Sequence, residues 1–280
     1  MIQFQVNRHG AELQSLQKDG REYLWQGDPA YWGRRAPILF PSVGRPFGDT
    51  VRFGGKAFTM KQHGFARDTD FEPCDKGLVM HGPQDNYPFE YDLFASYVAS
   101  GDALHCRWTV LNCGVGEMPF QIGAHPAFLL PEYCAGDPVH GYFRLLDAAG
   151  KEVRPLVTTH VVYGVGSRAF VDKPWQLDAV IPITDQSFAD DAILIENGQV
   201  ATVELQDKDR RPVLAVHCPQ AQAYGLWAPT KPGCPFVCIE PWCGIADRDG
   251  FAGEFAERDF VHILGPGEEY LFEYVVQVLR

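Results

Sequence analysis

No run in this chain approaches the ~18 consecutive apolar residues that a membrane-spanning helix needs. The first residues, Met1-Ile2-Gln3-Phe4-Gln5-Val6, alternate apolar and polar and lack the cationic and apolar blocks of a secretory leader, so the cytoplasm is the expected compartment. Amphipathic helical periodicity is nearly absent, the best stretch being Phe251–Arg258, which excludes a βαβ architecture. Low-complexity segments, charge blocks and internal repeats are missing too, so one domain over residues 1–280 is expected. Basic residues are scarce: 24 Lys and Arg stand against 36 Asp and Glu, for a net charge of -12. That field repels phosphate backbones and anionic lipid heads, excluding nucleic acid and membrane surfaces as partners, and suits a neutral small molecule. Eight cysteines are present, but Cys234, Cys238 and Cys243 form no paired CxxC knuckle, and reduced thiols are expected throughout.

What is abundant is strand signal. Period-two alternation marks Ile2–Val6, Phe89–Leu93, Val203–Leu205 and Tyr270–Val278, and short apolar runs such as Ala192–Ile195 and Val213–Val216 suit strands buried on both faces. Turn chemistry separates them at Lys18-Asp19-Gly20, Gly54-Gly55, Ser100-Gly101-Asp102, Asn197-Gly198 and Gly265-Pro266-Gly267. Many short strands with Gly- and Pro-rich turns predict an all-β sandwich or barrel. Two long surface loops interrupt it, residues 28–47 and 131–141, and large loops beside a sheet often grip substrates.

Three stretches carry acid–base chemistry. In Phe236-Val237-Cys238-Ile239-Glu240-Pro241-Trp242-Cys243-Gly244 a single carboxylate is wedged into an apolar run. Glu240 either ends its strand in water or is desolvated, with its pKa raised toward the range useful for proton transfer. His125, in Gly123-Ala124-His125-Pro126-Ala127-Phe128, is either a structural histidine bonding a carbonyl or a general acid. His63, in Gln62-His63-Gly64-Phe65-Ala66-Arg67, has a cation close by, so a neutral hydrogen-bonding role is as well supported as acid catalysis. Arg34, Arg35 and Arg45 lie in the early loop and suit either a fork of bonds to vicinal hydroxyls or phosphate, or plain solvation. Trp227 offers a flat face to a sugar ring or packs in the core.

In order along the chain, Gly10-Ala11-Glu12-Leu13, Glu22–Asp28, Arg35-Ala36-Pro37-Ile38-Leu39-Phe40-Pro41, His63-Gly64-Phe65-Ala66-Arg67, His125-Pro126-Ala127-Phe128 and Glu240-Pro241-Trp242 resemble the aldose 1-epimerases, or galactose mutarotases. The lactose-operon-type bacterial branch is the nearest in appearance. The resemblance implies a galactose mutarotase-like β-supersandwich that interconverts α and β anomers of a free aldose without a cofactor. It makes His125 the general acid, Glu240 the general base, His63 the second active-site histidine and Arg45 a substrate-binding arginine. The family's sugar-binding aspartate falls on Asp190 or Asp191. The chemistry calls for a base on the C1 hydroxyl and an acid on the ring oxygen, on different sides of the hemiacetal, with Trp227 against the sugar. The partner is then a monosaccharide, bound by a monomer or homodimer. Rival readings are a hexose-phosphate epimerase using the loop arginines, a sugar-binding protein without turnover, and a metal enzyme built on His63, His125 and Glu240.

Overall fold

A computed structural model describes all 280 residues. Nearly every regular element is a strand, and the helical content is three single 3₁₀ turns. The Phe251–Arg258 stretch yields only the turn Phe255–Glu257, closed by reciprocal Glu254 and Glu257 capping bonds. No helix is long and apolar enough to cross a membrane.

Two antiparallel sheets make the sandwich. The larger runs Val180–Ile183, Gly141–Leu146, Thr202–Gln206, Pro212–His217, Glu269–Val278, Ala103–Asn112, Tyr91–Ser100, Gly77–His81 and Glu72–Cys74. Its long central strands alternate buried and accessible residues, as a sheet with one wet face must. The smaller sheet runs Ile193–Glu196, Ala223–Trp227, Phe236–Cys243, Ile122–Ala124 and Ile38–Leu39, with Ala127–Leu129 also paired to Phe236–Cys243. One apolar cluster joins the facing sides: Trp108, Phe272 and Tyr274 from the large sheet meet Phe128, Val237 and Ile239 from the small one.

The turn residues do what their conformations require. Asp19-Gly20, Gly54-Gly55 and Asn197-Gly198 all take positive φ, and the first two close tight hairpins. The predicted strand at Phe89–Leu93 begins only at Tyr91. Phe89 instead packs its ring against Phe53 and Tyr87.

Candidate active site

The small sheet is covered on both faces, which explains why every residue of Phe236–Cys243 is buried. Its odd positions Val237, Ile239 and Cys243 enter the main core. Its even positions face the other way, into two smaller apolar clusters. Phe236 and Cys238 join Trp25 and Ala127 at one end; Trp242 joins Leu39, Val43 and Leu194 at the other. Glu240 sits between them, 2% exposed.

Register brings the histidine to it. Gly123 pairs with Trp242 and Ala127 with Cys238, so the same alignment on either side of the gap puts position 125 opposite position 240. The strand breaks there because Pro126 has no N–H to give, while its carbonyl still accepts the Ile239 N–H at 3.1 Å. His125 Nε2 lies 3.2 Å from Glu240 Oε2. On the other flank Glu240 is opposite Gly225, where a Cβ would come within 3.0 Å of the Trp242 ring. Gly123 makes the same room from its side, at 2.8 Å. Two glycines thus let the indole lie across the sheet as one wall of the cleft.

His63 arrives on a loop. Its φ is +66°, unusual for a residue with a side chain, and Gly64 follows at +67° with its α-carbon pressed against the Phe40 carbonyl. Two bonds hold the turn: the His63 N–H donates to the Gly44 carbonyl at 2.8 Å, and the Gly44 N–H donates to His63 Nδ1 at 3.1 Å. Accepting at Nδ1 places the proton of the neutral ring on Nε2, which faces the Gln62 side-chain amide at 3.3 Å. The His63 and His125 rings stand edge-on, centroids 5.4 Å apart.

These groups surround a cavity of about 310 Å³, the size of a small-molecule site. His125, Glu240, His63, Asp191 and Trp227 all line it; Arg45 does not. Arg45 instead forms a forked pair with Asp49, both contacts 2.7 Å. Arg34 pairs with Asp68 and Arg35 donates to the Gln14 carbonyl, so none of the three loop arginines is free for a ligand fork. The cation of the cleft is Arg67, whose Nη2 donates to the Gln62 carbonyl at 2.6 Å and whose Nε is buried without a partner. Asp190 is exposed and lies off the cleft; Asp191 accepts the Ala192 N–H at 2.9 Å. Trp32 was absent from the candidates, yet it stacks on the His125 ring at 4.8 Å and 25°. The aromatic richness of the 28–47 loop was its only signal.

Burial disfavours charge on the carboxyls and imidazoles of the cleft, while Arg67 remains its cation. Burial, then the neighbouring Asp191, pushes the Glu240 carboxyl well above the usual range. Burial, then Arg67, pushes the His125 imidazole down, and the same two causes act on His63. Both shifts favour the neutral forms, the carboxyl over the carboxylate and the imidazole over the imidazolium, across the 3.2 Å contact. The geometry corrects one expectation. His125 and Glu240 touch on one wall of the cleft instead of standing on different sides of it, because His125 sits in the strand break directly opposite Glu240. Burial also pushes the Asp191 carboxyl up, with the Ala192 N–H and the Trp227 indole acting the other way.

Metal-ligand atoms converge at His125, Cys238 and Glu240, within 4.8 Å of one another; Cys238, not His63, completes that set. Burial raises the Cys238 thiol as it raises Glu240, so a cation there would have to displace protons from two of its three donors. Cys243 projects from the opposite face of the strand and binds the Gln220 carbonyl, so Cys234, Cys238 and Cys243 cannot share an ion.

The scaffold is a galactose mutarotase-like β-sandwich with His125, Glu240, His63 and Asp191 around one small cleft. The aldose 1-epimerase family model matches residues 2–277, and the chain belongs to that family. Family membership supports the carbohydrate-epimerase class of isomerase. Protein LacX of Lactococcus lactis subsp. lactis, in plasmid and chromosomal forms, is 29% identical over 256 residues, covering 85% of this chain and 83% of the relative. A galactose mutarotase related enzyme from Lactobacillus acidophilus superposes with a TM-score of 0.89 at 29% identity, over 100% of this chain and 95% of that one. A galactose mutarotase-like protein from Lactobacillus casei gives 0.86 at 28%, over 99% and 97%.

Proposed function

We propose that the protein is an aldose 1-epimerase that opens and recloses the ring of a free aldohexose, with no cofactor. The observation that carries this reading is the His125–Glu240 contact at 3.2 Å inside the cleft. The C1 hydroxyl and the ring oxygen are bonded to the same carbon, so an acid and a base side by side reach both. When a sugar binds, its C1 hydroxyl donates to Glu240 and favours the carboxylate, while the ring oxygen accepts from His125 and favours the imidazolium. The reactive form of the pair is thus a Glu240 carboxylate beside a His125 imidazolium. Glu240 then takes the hydroxyl proton as His125 delivers its own to the ring oxygen, and the C1–ring-oxygen bond breaks. Rotation about C1–C2 and the reverse transfers close the ring on the other face. Each placed transfer is worth ~10²–10⁴-fold in rate.

The other groups grip without touching C1. His63 offers Nε2–H, Arg67 its unpartnered Nε, and Asp191 a carboxyl for sugar hydroxyls. Trp227 and Trp242 supply apolar faces. The names of the structural relatives make galactose the first sugar to try. Glu240→Gln and His125→Asn are expected to lower mutarotation of fresh α-galactose or α-glucose by at least ~10²-fold with the fold intact. Polarimetry at near wild-type rates in either variant would falsify the assignment. Arg67, with Arg34 behind it donating to the Arg67 carbonyl, favours a second reading, a phosphorylated hexose. Comparing rates on glucose and glucose 6-phosphate separates the two.

A further inference from the structure

Beside the cleft lies a larger cavity of about 660 Å³, and no step above uses it. Val161, Asp191, Ala192 and Leu194 line both spaces, so the second adjoins the first across a shared wall. One side is the hairpin of Leu156–Val161 and Arg168–Gln176; the other is the segment leading to Ile193–Glu196. The walls are mostly aliphatic and aromatic, with Val157, Val171, Tyr163 and Trp175 prominent.

The polar groups in it are mostly engaged. The Thr159 hydroxyl donates to Glu196, and Ser187 Oγ accepts the Thr184 N–H and donates to the Pro182 carbonyl. What remains free, His160, Gln186 and Asp190, stands at the exposed rim. The hairpin region is also where apolar exposure collects. Leu156, Tyr163, Val165, Phe170 and Trp175 are five of the eleven exposed large hydrophobic residues of the chain, with Tyr163 at 78% and Trp175 at 43%. Such concentration marks a binding surface. Asp190 and Asp191, in a chain of net charge -12, oppose an anionic occupant.

We propose that this cavity is a subsite for an apolar substituent, aryl or acyl, carried by the aldose on a carbon other than C1. The inference rests on the epimerase reading, which requires a bare hemiacetal at C1 beside Glu240 and so directs any substituent to the rest of the ring. The substituent crosses from ring to cavity over the shared Asp191–Leu194 wall.

The test compares galactose with its 3-, 4- and 6-O-benzyl ethers, all free at C1, by calorimetry and polarimetry. The variants are Trp175→Ala and Val171→Asp, both outside the catalytic cleft and neither fully buried. At least one ether is expected to bind about tenfold tighter than galactose. Both variants should erase that gain and leave galactose unchanged. The proposal is overturned if no ether outbinds galactose, or if the variants weaken both sugars alike. It is also overturned if Trp175→Ala merely converts a dimer to a monomer in sedimentation with ether affinity unchanged, since a second copy then covers the hairpin. Tight, Trp175-dependent ether binding without turnover of any sugar leaves the subsite standing and removes the epimerase reading instead.

Discussion

Two buried polar clusters lie within a few residues of each other and treat charge in opposite ways. Around Arg168 and Arg258 every cation is matched. Arg258 Nε bonds Asp247 at 2.5 Å and Nη1 reaches the Ser42 hydroxyl at 2.7 Å. Arg168 bonds the Ala246 carbonyl at 2.8 Å, Glu196 at 3.0 Å, and Asp259. Around Glu240 the carboxyl and the two imidazoles are pushed toward their neutral forms, and His125 Nδ1, Arg67 Nε and Trp242 Nε1 are buried with no partner. The paired cluster fixes the backbone: Asp247 also accepts the Phe47 N–H, tying residues 42–47 to 245–247 as the floor beside His63. The unpaired cluster keeps its bonding capacity for something else. Buried polar groups left unmatched in a well-formed fold point to a ligand.

The comparison can be broken at either end. Arg258→Ala should cost ~3–5 kcal/mol of folding stability, because it strands Asp247 as a buried charge. Urea denaturation reads the loss, while polarimetry on the remaining folded protein should stay close to wild type. Arg67→Gln should leave stability nearly unchanged and raise KM about 10–100-fold, the worth of a hydrogen bond to a charged group at ~1.5–3 kcal/mol.

Linkage to pH sharpens the contrast further. The unfolded chain releases the Glu240 proton near the ordinary carboxylate value of 4.5, whereas the folded chain holds it to a much higher pH. Between those limits the folded state binds one proton more, so this carboxyl's contribution to stability declines as pH rises, by about 1.4 kcal/mol per unit. His63 and His125 act oppositely, but only below their ordinary value of 6.5, where the unfolded chain binds the extra protons. Above pH 6.5, Glu240→Gln should therefore gain on wild type steadily. Denaturation midpoints that stay parallel from pH 6.5 to 8 would show the carboxyl already ionised. The smallest effect belongs to Arg45→Gln: its half-exposed pair with Asp49 is worth about 1 kcal/mol or less, and sugar kinetics should not move.

Much of the site was legible because the sequence signals were local. Glu240 betrayed itself by the apolar run around it, and His125 by the glycine and proline that shape its strand break. Arg45 misled because an arginine beside glycine looks available until Asp49, one turn on, is seen to hold it. Trp32 was invisible as a contact: nothing in Tyr31-Trp32-Gly33 says which ring it will stack on. The 660 Å³ space was likewise hidden, since the Val157–Val171 hairpin and the 184–192 segment meet only in three dimensions.

By itself the sequence determined an all-β chain and the apolar surroundings of Glu240 and His125, because hydrophobic period and turn chemistry act over a few neighbours. Only the tertiary structure decided that residues 125 and 240 stand opposite each other, that Arg67 and not Arg45 lines the cleft, and that burial favours the neutral forms of Glu240 and His125. Register, side-chain direction and desolvation are properties of packed sheets, and a chain acquires them only when distant strands close on one another.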